Sequence, residues 1–338
     1  MDERILNFLF VTDGKMDDSL AIKILLRYLG KNYTHSQLHF LITDIVNRQG
    51  AANYIHTLCK TIIKNDKTIT GTINIAFHEG NEDPDAPEDK KVKSHEKIFD
   101  EYSTPNHFVQ FVPINIKSKY ICFAFAPFQN HKYLVQSASY SFLGLGYNTK
   151  GLDLDFYCTT KSILYVINNM SETIYPDKRE GGRFSTGDIE LWNAVYKNTD
   201  NILEKARQFA LEDSKIFGIK QLFNAGVIQN KDPNQDLFNT EIIQKAKEAF
   251  QNNKKQYYLP RVIEQLENGS WDVECSDGQH ISCWLNPILT KPCILAKTDR
   301  PYLEILEPSA QNEKKGIWCF APVGMSLESM RENFLQYI

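Results

Sequence analysis

No stretch of this sequence is apolar for long enough to cross a bilayer. The longest apolar runs, such as ICFAFAPF at 121–128, fall well short of the roughly 20 residues that a spanning helix needs. The first residues, MDERILNFLFVTDG, lack a basic region followed by a long apolar core and a small-residue cleavage site, so no signal peptide is read. A cytoplasmic-type soluble protein is the expectation, with export by a route that leaves no N-terminal mark still open. A basic excess is missing too. Lys and Arg number 38 against 42 Asp and Glu, a formal net charge of −4, so extended nucleic-acid binding is not expected. No cysteine pair has the CxxC spacing of zinc or redox sites. The seven cysteines (Cys59, Cys122, Cys158, Cys275, Cys283, Cys293 and Cys319) are an odd number and read as reduced, mostly buried thiols. There is no internal repeat and no low-complexity linker.

What is present is ordinary globular composition, 42% hydrophobic and 24% charged, arranged in a β-α-β-α-β order. Ile5–Val11 reads as a buried strand ended by Asp-Gly. Ser19–Leu29 reads as a helix stopping at Gly30, and Leu38–Val46 as a second strand. Ala51–Lys64 reads as a helix and Ile73–Phe77 as a third strand. Residues 79–104 form a charged surface loop. Lys119–Pro127 is another strand, leading through Phe128-Gln129-Asn130 into a helix. Ser141–Gly146 is a short strand, Asn148–Tyr157 a loop and Thr160–Asn168 a helix; Asp200–Phe223 is helical and Asn230–Phe238 a polar turn. In the tail, Tyr257–Leu285 looks like a β-meander with Asn268-Gly269 and Asp277-Gly278 as hairpin turns. Trp318–Val323 reads as a strand and Ser326–Tyr337 as a closing helix. The expected fold class is α/β: a mostly parallel open sheet covered by helices on both faces, with a small C-terminal β elaboration over 257–323. One domain over 1–338 is the simpler architecture.

Chemistry concentrates in Phe8–Leu20, FLFVTDGKMDDSL, where an apolar strand ends in Asp13, Asp17 and Asp18 and an apolar helix follows. In α/β sheets ligands bind outside the carboxyl ends of strands. Three acids within six residues repel one another unless a cation or sugar hydroxyls sit between them. An oxygen-ligated divalent metal, Ca²⁺ first, beside a ribose-like substrate would meet that need. The plainer alternative is turn formation plus helix capping, since Asp-Gly is a turn pair and acids favour the first helical turn.

Further residues extend the pattern. TDGKMDD resembles the D-x-D-x-x-x-D-D signature of the Ca²⁺-dependent nucleoside hydrolases of the inosine/uridine-preferring type. Asp44-Ile45-Val46-Asn47-Arg48-Gln49 looks like that family's second-strand exit, and Phe125-Ala126-Pro127-Phe128-Gln129-Asn130 resembles its G-P-L-T-N motif. Leu143-Gly144-Leu145-Gly146 followed by Leu152–Tyr157 parallels a Gly-Gly turn and A-E-F-N, and Lys231-Asp232-Pro233 sits where the family has H-D-P. The motifs occur in family order across residues 8–236. The resemblance implies a nucleoside-hydrolase-like fold and hydrolysis of an N-ribosidic bond. It implies Asp13 as Ca²⁺ ligand and water-activating base, with Asp18, the Gln129 carbonyl and Asp232 completing the metal shell. Asp17, Asn47, Asp153 and Asp155 would hold ribose hydroxyls, with Asn148 a further candidate shifted by one residue. The implied partner is a small riboside, with homo-oligomers left open and neither nucleic acid nor membrane involved.

The chain also departs from that pattern. Val11 replaces the first aspartate, and Gly14-Lys15 replaces Pro-Gly, which sets a cation among the acids. Asp153 and Asp155 replace Glu and Asn, while Lys231 replaces the histidine that often protonates the leaving base. A lysine of ordinary pKa near 10.4 is a poor general acid at neutral pH. Lys15 and Lys231 are thus candidate modulators. These departures motivate the alternative of a catalytically weakened relative that binds a ribosyl ligand or a protein partner. For Asp232, Asp236 and Asp188 stand as alternative ligands. A phosphatase-like Asp nucleophile at strand one is disfavoured by Thr12 and by the absence of a later Lys-Asp signature.

Overall fold

The computed structural model describes residues 6–43, 45–80, 97–103, 108–115, 118, 120–126, 140–144, 155–158, 183–253, 256, 258–286, 291–297, 303–321 and 327–338. Strand β1 (Leu6–Thr12) leads into helix α1 (Met16–Asn32), then β2 (His35–Ile42), α2 (Arg48–Asn65) and β3 (Thr72–Glu79). Short helix α3 (Lys97–Glu101) precedes β4 (Ile121–Ala124), β5 (Tyr140–Gly144) and β6 (Asp155–Cys158). β7 (Arg183–Ser185) is followed by α4 (Ile189–Tyr196), α5 (Ile202–Asn224), α6 (Thr240–Asn252) and α7 (Leu259–Glu267). The chain closes with β8 (Asp272–Glu274), α8 (Ser276–Leu285), β9 (Lys291–Lys297), β10 (Leu303–Leu306), β11 (Gly316–Ala321) and α9 (Leu327–Tyr337).

The described residues form a nine-stranded sheet in the order β10-β9-β11-β6-β5-β4-β1-β2-β3, plus a separate pair, β7-β8. From β3 through β2, β1 and β4 to β5 every pairing is parallel; from β5 outward each is antiparallel. β1 lies inside the parallel part. Phe8, Leu9, Phe10 and Val11 have no exposed surface, as a strand covered on both faces requires. Phe123 stacks on Phe8, and Trp284 of α8 meets the Phe123 ring edge-on. A second apolar cluster joins α5, α6 and α7 around Leu222, Ala246, Val262 and Trp271. Among the described residues no helix is long and apolar enough to cross a membrane.

The expected β-α-β-α-β opening is observed: α1, α2 and β3 run longer than expected, β1 keeps its length one residue later, and β2 lies earlier, at His35–Ile42. Gly30 is not the stop of α1 but lies inside it, where a Cβ would come 2.4 Å from the Ile69 side chain. The helix runs on to Asn32, and the Tyr33 N–H closes it by donating to the Leu29 carbonyl at 3.0 Å.

The tail corrects the sequence reading more deeply. The expected meander over Tyr257–Leu285 is helix, short strand and helix. Leu259, Val262, Ile263 and Leu266 are all buried, at the spacing of one helical face. Asn268-Gly269 ends that helix: Gly269 has φ +66°, and the Gly269 and Ser270 amides donate to the carbonyls of Leu266 and Gln265. Asp277-Gly278 lies in the first turn of α8. The C-terminal strands β9, β10 and β11 join the main sheet, because β11 pairs with β6. α6 and α4 were not foreseen. The helices expected after Phe128 and over Thr160–Asn168, and most of the charged loop at 79–104, lie outside the described residues.

Candidate metal centre and its acid cluster

The parallel strand order β3-β2-β1-β4-β5 reverses direction of travel at β1, whose neighbours are β2 and β4. That is the switch point of a doubly wound sheet, where a crevice opens outside the carboxyl ends of the two strands. The loop after β1 carries Asp13, Asp17 and Asp18.

Local bonds fix this loop tightly. Gly14 takes φ +76°, where a Cβ would come 3.1 Å from the Phe99 ring, and its N–H donates to Thr12 Oγ1 at 2.9 Å. The Lys15 N–H donates to Asp18 Oδ2 at 3.2 Å and, more weakly, to Asp13 Oδ1 at 3.4 Å. Asp18 is thus the third helical residue reaching back to cap the start of α1. Ser19 Oγ donates to the Lys15 carbonyl at 2.8 Å and lies 3.0 Å from the Tyr54 hydroxyl. The capping role expected of these acids is real. It uses one oxygen of Asp18.

The other oxygen has no such use. Asp18 is 1% exposed, and its Oδ1 is buried without a hydrogen-bond partner. A buried carboxylate oxygen left unsatisfied costs on the order of 1–3 kcal/mol or more, which a cation would offset. Asp17 and Asp18 are joined by Asp277 from the first turn of α8, with one ligand atom from each residue lying within 4.8 Å of the others. Asp277 is brought there because α8 crosses α1 closely: a Cβ on Gly278 would come 3.0 Å from Leu20 Cβ and 2.7 Å from the Phe334 ring. Asp17, Asp18 and Asp277 therefore form a group able to hold a metal ion.

Charge in this cluster is poorly balanced. Burial, with the nearby charge of Glu274, pushes the Asp17 carboxyl up to about 7, while Lys15 pulls it down. Burial and the charges of Asp13 and Asp17 hold Asp18 well above the carboxylate range. Lys15 Nζ forms an ion pair with Asp13 Oδ2. Burial works against the ammonium, yet Asp13, Asp17 and Asp18 together raise its pKa well above the usual lysine value. The Cys275 thiol is buried and pushed up, first by desolvation and then by Asp17 and Glu274, which makes it a poor nucleophile. An all-oxygen set of three carboxylates with one unsatisfied oxygen fits a hard divalent cation.

The other residues singled out by the sequence are placed as follows. Asp232 lies on an exposed turn, with its Oδ1 accepting from Asn234 N–H at 2.9 Å, and is not among the acids gathered with Asp17 and Asp18. Lys231 shares that turn, with its ammonium 4.7 Å from the Phe223 ring centre. Asn47 caps α2 by accepting from Gly50 N–H, and its amide donates to Asp100 and Ser103. Asp155 begins β6, opposite Gly144. Gln129, Asn148 and Asp153 lie outside the described residues. Asp188 caps α4 and is paired with Arg331, and Asp236 caps Phe238 N–H. Asp277 and Glu274 were missed. Nothing local in DVECSDGQ marks them, because what brings Asp277 beside Asp17 and Asp18 is the packing of α8 on α1.

No family model and no curated protein matches the chain. Among solved structures, it resembles an inosine-uridine preferring nucleoside hydrolase from Bacillus anthracis, with a TM-score of 0.44, 10% identity, and coverage of 98% of this chain and 99% of that one. It also resembles an inosine-guanosine nucleoside hydrolase, with a TM-score of 0.42, 10% identity and 98% coverage of each chain. The likeness spans nearly the full length at low identity. The chemistry of the acid cluster has to be read from its own geometry.

Proposed function

We propose that this chain is a divalent-cation-dependent hydrolase of N-ribosidic bonds, acting on a nucleoside or a related N-riboside with Ca²⁺ as the ion. The observation that carries the reading is the buried Asp18, one oxygen of which has no hydrogen-bond partner, grouped with Asp17 and Asp277 at the sheet's switch point. The motif order in the sequence supports it. Asp17, Asp18 and Asp277 would hold the cation, so Asp277 takes the place given to Asp232, and the Gln129 carbonyl stays a proposed ligand. When bound, the ion supplies positive charge that acidifies water and orients hydroxyl groups.

The chain's own groups do the remainder. Asp13, next to the cluster, is the proposed base that takes a proton from the attacking water, which requires its pair with Lys15 to open. Carboxylates grouped beneath the sugar stabilise the oxocarbenium-like charge that develops as the N-glycosidic bond breaks. Asp17, Asn47, Asn148, Asp153 and Asp155 stay the proposed contacts to ribose hydroxyls. Lys231, on its exposed turn, is given no leaving-group role.

Ribose release from a nucleoside panel tests the reading. Cation-replete protein should release ribose, and chelator or Asp13→Ala should stop it. The Lys15–Asp13 ion pair favours a second reading, a site that binds ribosides without turnover. Thermal stabilisation by ribosides with no ribose released from any panel member would establish that one and remove the first.

A further inference from the structure

Lys15 sets this loop apart from a plain cation site. Its ammonium is paired with Asp13, which is 3% exposed, and it feels the charges of Asp17 and Asp18 as well. Two features make that ammonium displaceable. The Lys15 side chain as a whole is 37% exposed although its ammonium is buried against the acids, so solvent lies beside the paired charge. The capping bonds to Asp13 and Asp18 come from the Lys15 backbone N–H, so the loop keeps its shape when the side chain leaves. With the ammonium docked, Asp18 Oδ1 is still unpartnered. One tethered charge does not satisfy the cluster.

We propose that Lys15 is a tethered counter-ion that competes with the divalent cation for the acid loop, so that loading the cation requires the Lys15–Asp13 pair to open. The inference rests on the cation reading of Asp17, Asp18 and Asp277 and adds a control on it. An ammonium within a few ångströms of a divalent ion repels it strongly where little water screens the two. The loop therefore favours a small, highly charged ion over a monovalent one, because only the former gains enough from several carboxylates to expel the lysine. It also sets cation affinity below what three clustered acids would otherwise give.

The test is calorimetric titration of the metal-stripped full-length protein with Ca²⁺. Lys15→Met should bind at least about tenfold more tightly than wild type, whereas Lys15→Arg, which keeps the charge, should stay within about threefold. In wild-type protein the side-chain NMR signal of Lys15 should move as Ca²⁺ is added, a readout that needs no variant to fold. Equal or weaker binding by Lys15→Met, or a Lys15 signal that stays put at saturation, overturns the competition while leaving the cation reading intact. Absence of Ca²⁺ binding by both wild type and Lys15→Met overturns the two together.

Discussion

Replacing Asp17 with Asn should make the cation-free protein more stable at pH 8 and leave it almost unchanged at pH 4. The Asp17 carboxyl is pushed from 3.8 up to about 7, chiefly by burial, with Glu274 and Asp13 adding to the push and Lys15 opposing it. In the unfolded chain the same group ionises near 3.8. Between that value and about 7 the folded protein holds a proton that the unfolded chain has lost, so stability falls as pH rises through this window. Above about 7 the loss is complete. A shift of roughly three units at about 1.4 kcal/mol each sets a ceiling near 4 kcal/mol. Losing a favourable charge at the start of α1 returns roughly 0.3–1 kcal/mol of that, and relaxation of the loop takes more. A net gain of about 2–3 kcal/mol for Asp17→Asn is expected at pH 8. The amide keeps an oxygen to accept from the Asp18 N–H, which Asp17 Oδ1 does at 3.2 Å. Urea unfolding of both proteins in chelator at pH 4 and pH 8 measures the difference. Added Ca²⁺ should then cancel the difference at a hundred times its dissociation constant for wild type, a gain of about 2.7 kcal/mol, and reverse the order at a thousand times, where the gain is about 4.1 kcal/mol. An Asp17→Asn protein no more stable at pH 8, or a difference that does not change with pH, would refute the electrostatic account of the loop.

Two further substitutions test how the cluster is assembled. Asp277→Asn should weaken Ca²⁺ binding by about tenfold or more, the loss of a full charge close to the ion, whereas Asp232→Asn should leave it unchanged; titration calorimetry on both variants decides which acid belongs to the site. Gly278→Val should destabilise the fold by about 1–3 kcal/mol through overpacking against Phe334 and Leu20. By pushing α8 off α1 it should also reduce stabilisation by Ca²⁺, read as a smaller Ca²⁺-induced rise in Tm.

The first half of the sheet could be read from the sequence because its signals are local. The apolar run of β1 followed by Asp-Gly, and the periodicity of α2, fix element type without reference to neighbours. The tail misleads because one dipeptide serves two structures. Glycine with positive φ closes a hairpin and ends a helix equally well, and Gly269 at +66° does the second. The spacing of Leu259, Val262, Ile263 and Leu266 held the deciding information. The candidate site divides in the same way. Asp13, Asp17, Asp18 and Lys15 were visible as crowded charges in one loop. Asp277 was not, because its place beside them depends on how closely α8 packs on α1, and no local pattern near residue 277 encodes that. Asp232 is singled out by the likeness of Lys231-Asp232-Pro233 to H-D-P, and in the structure its Oδ1 accepts from the Asn234 N–H on an exposed turn.

The crossing of α8 over α1 also has a consequence for how the molecule is made. Asp18 and Asp277 are about 260 residues apart, and joining such distant segments is costly in chain entropy and slow. A chain emerging from the ribosome presents its first acids long before the helix that completes their cluster exists. The group that would hold a cation is therefore among the last features to form, and a nascent or truncated chain lacking α8 has the loop but not the three-acid group. Cation binding therefore reports that α1 and α8 have met.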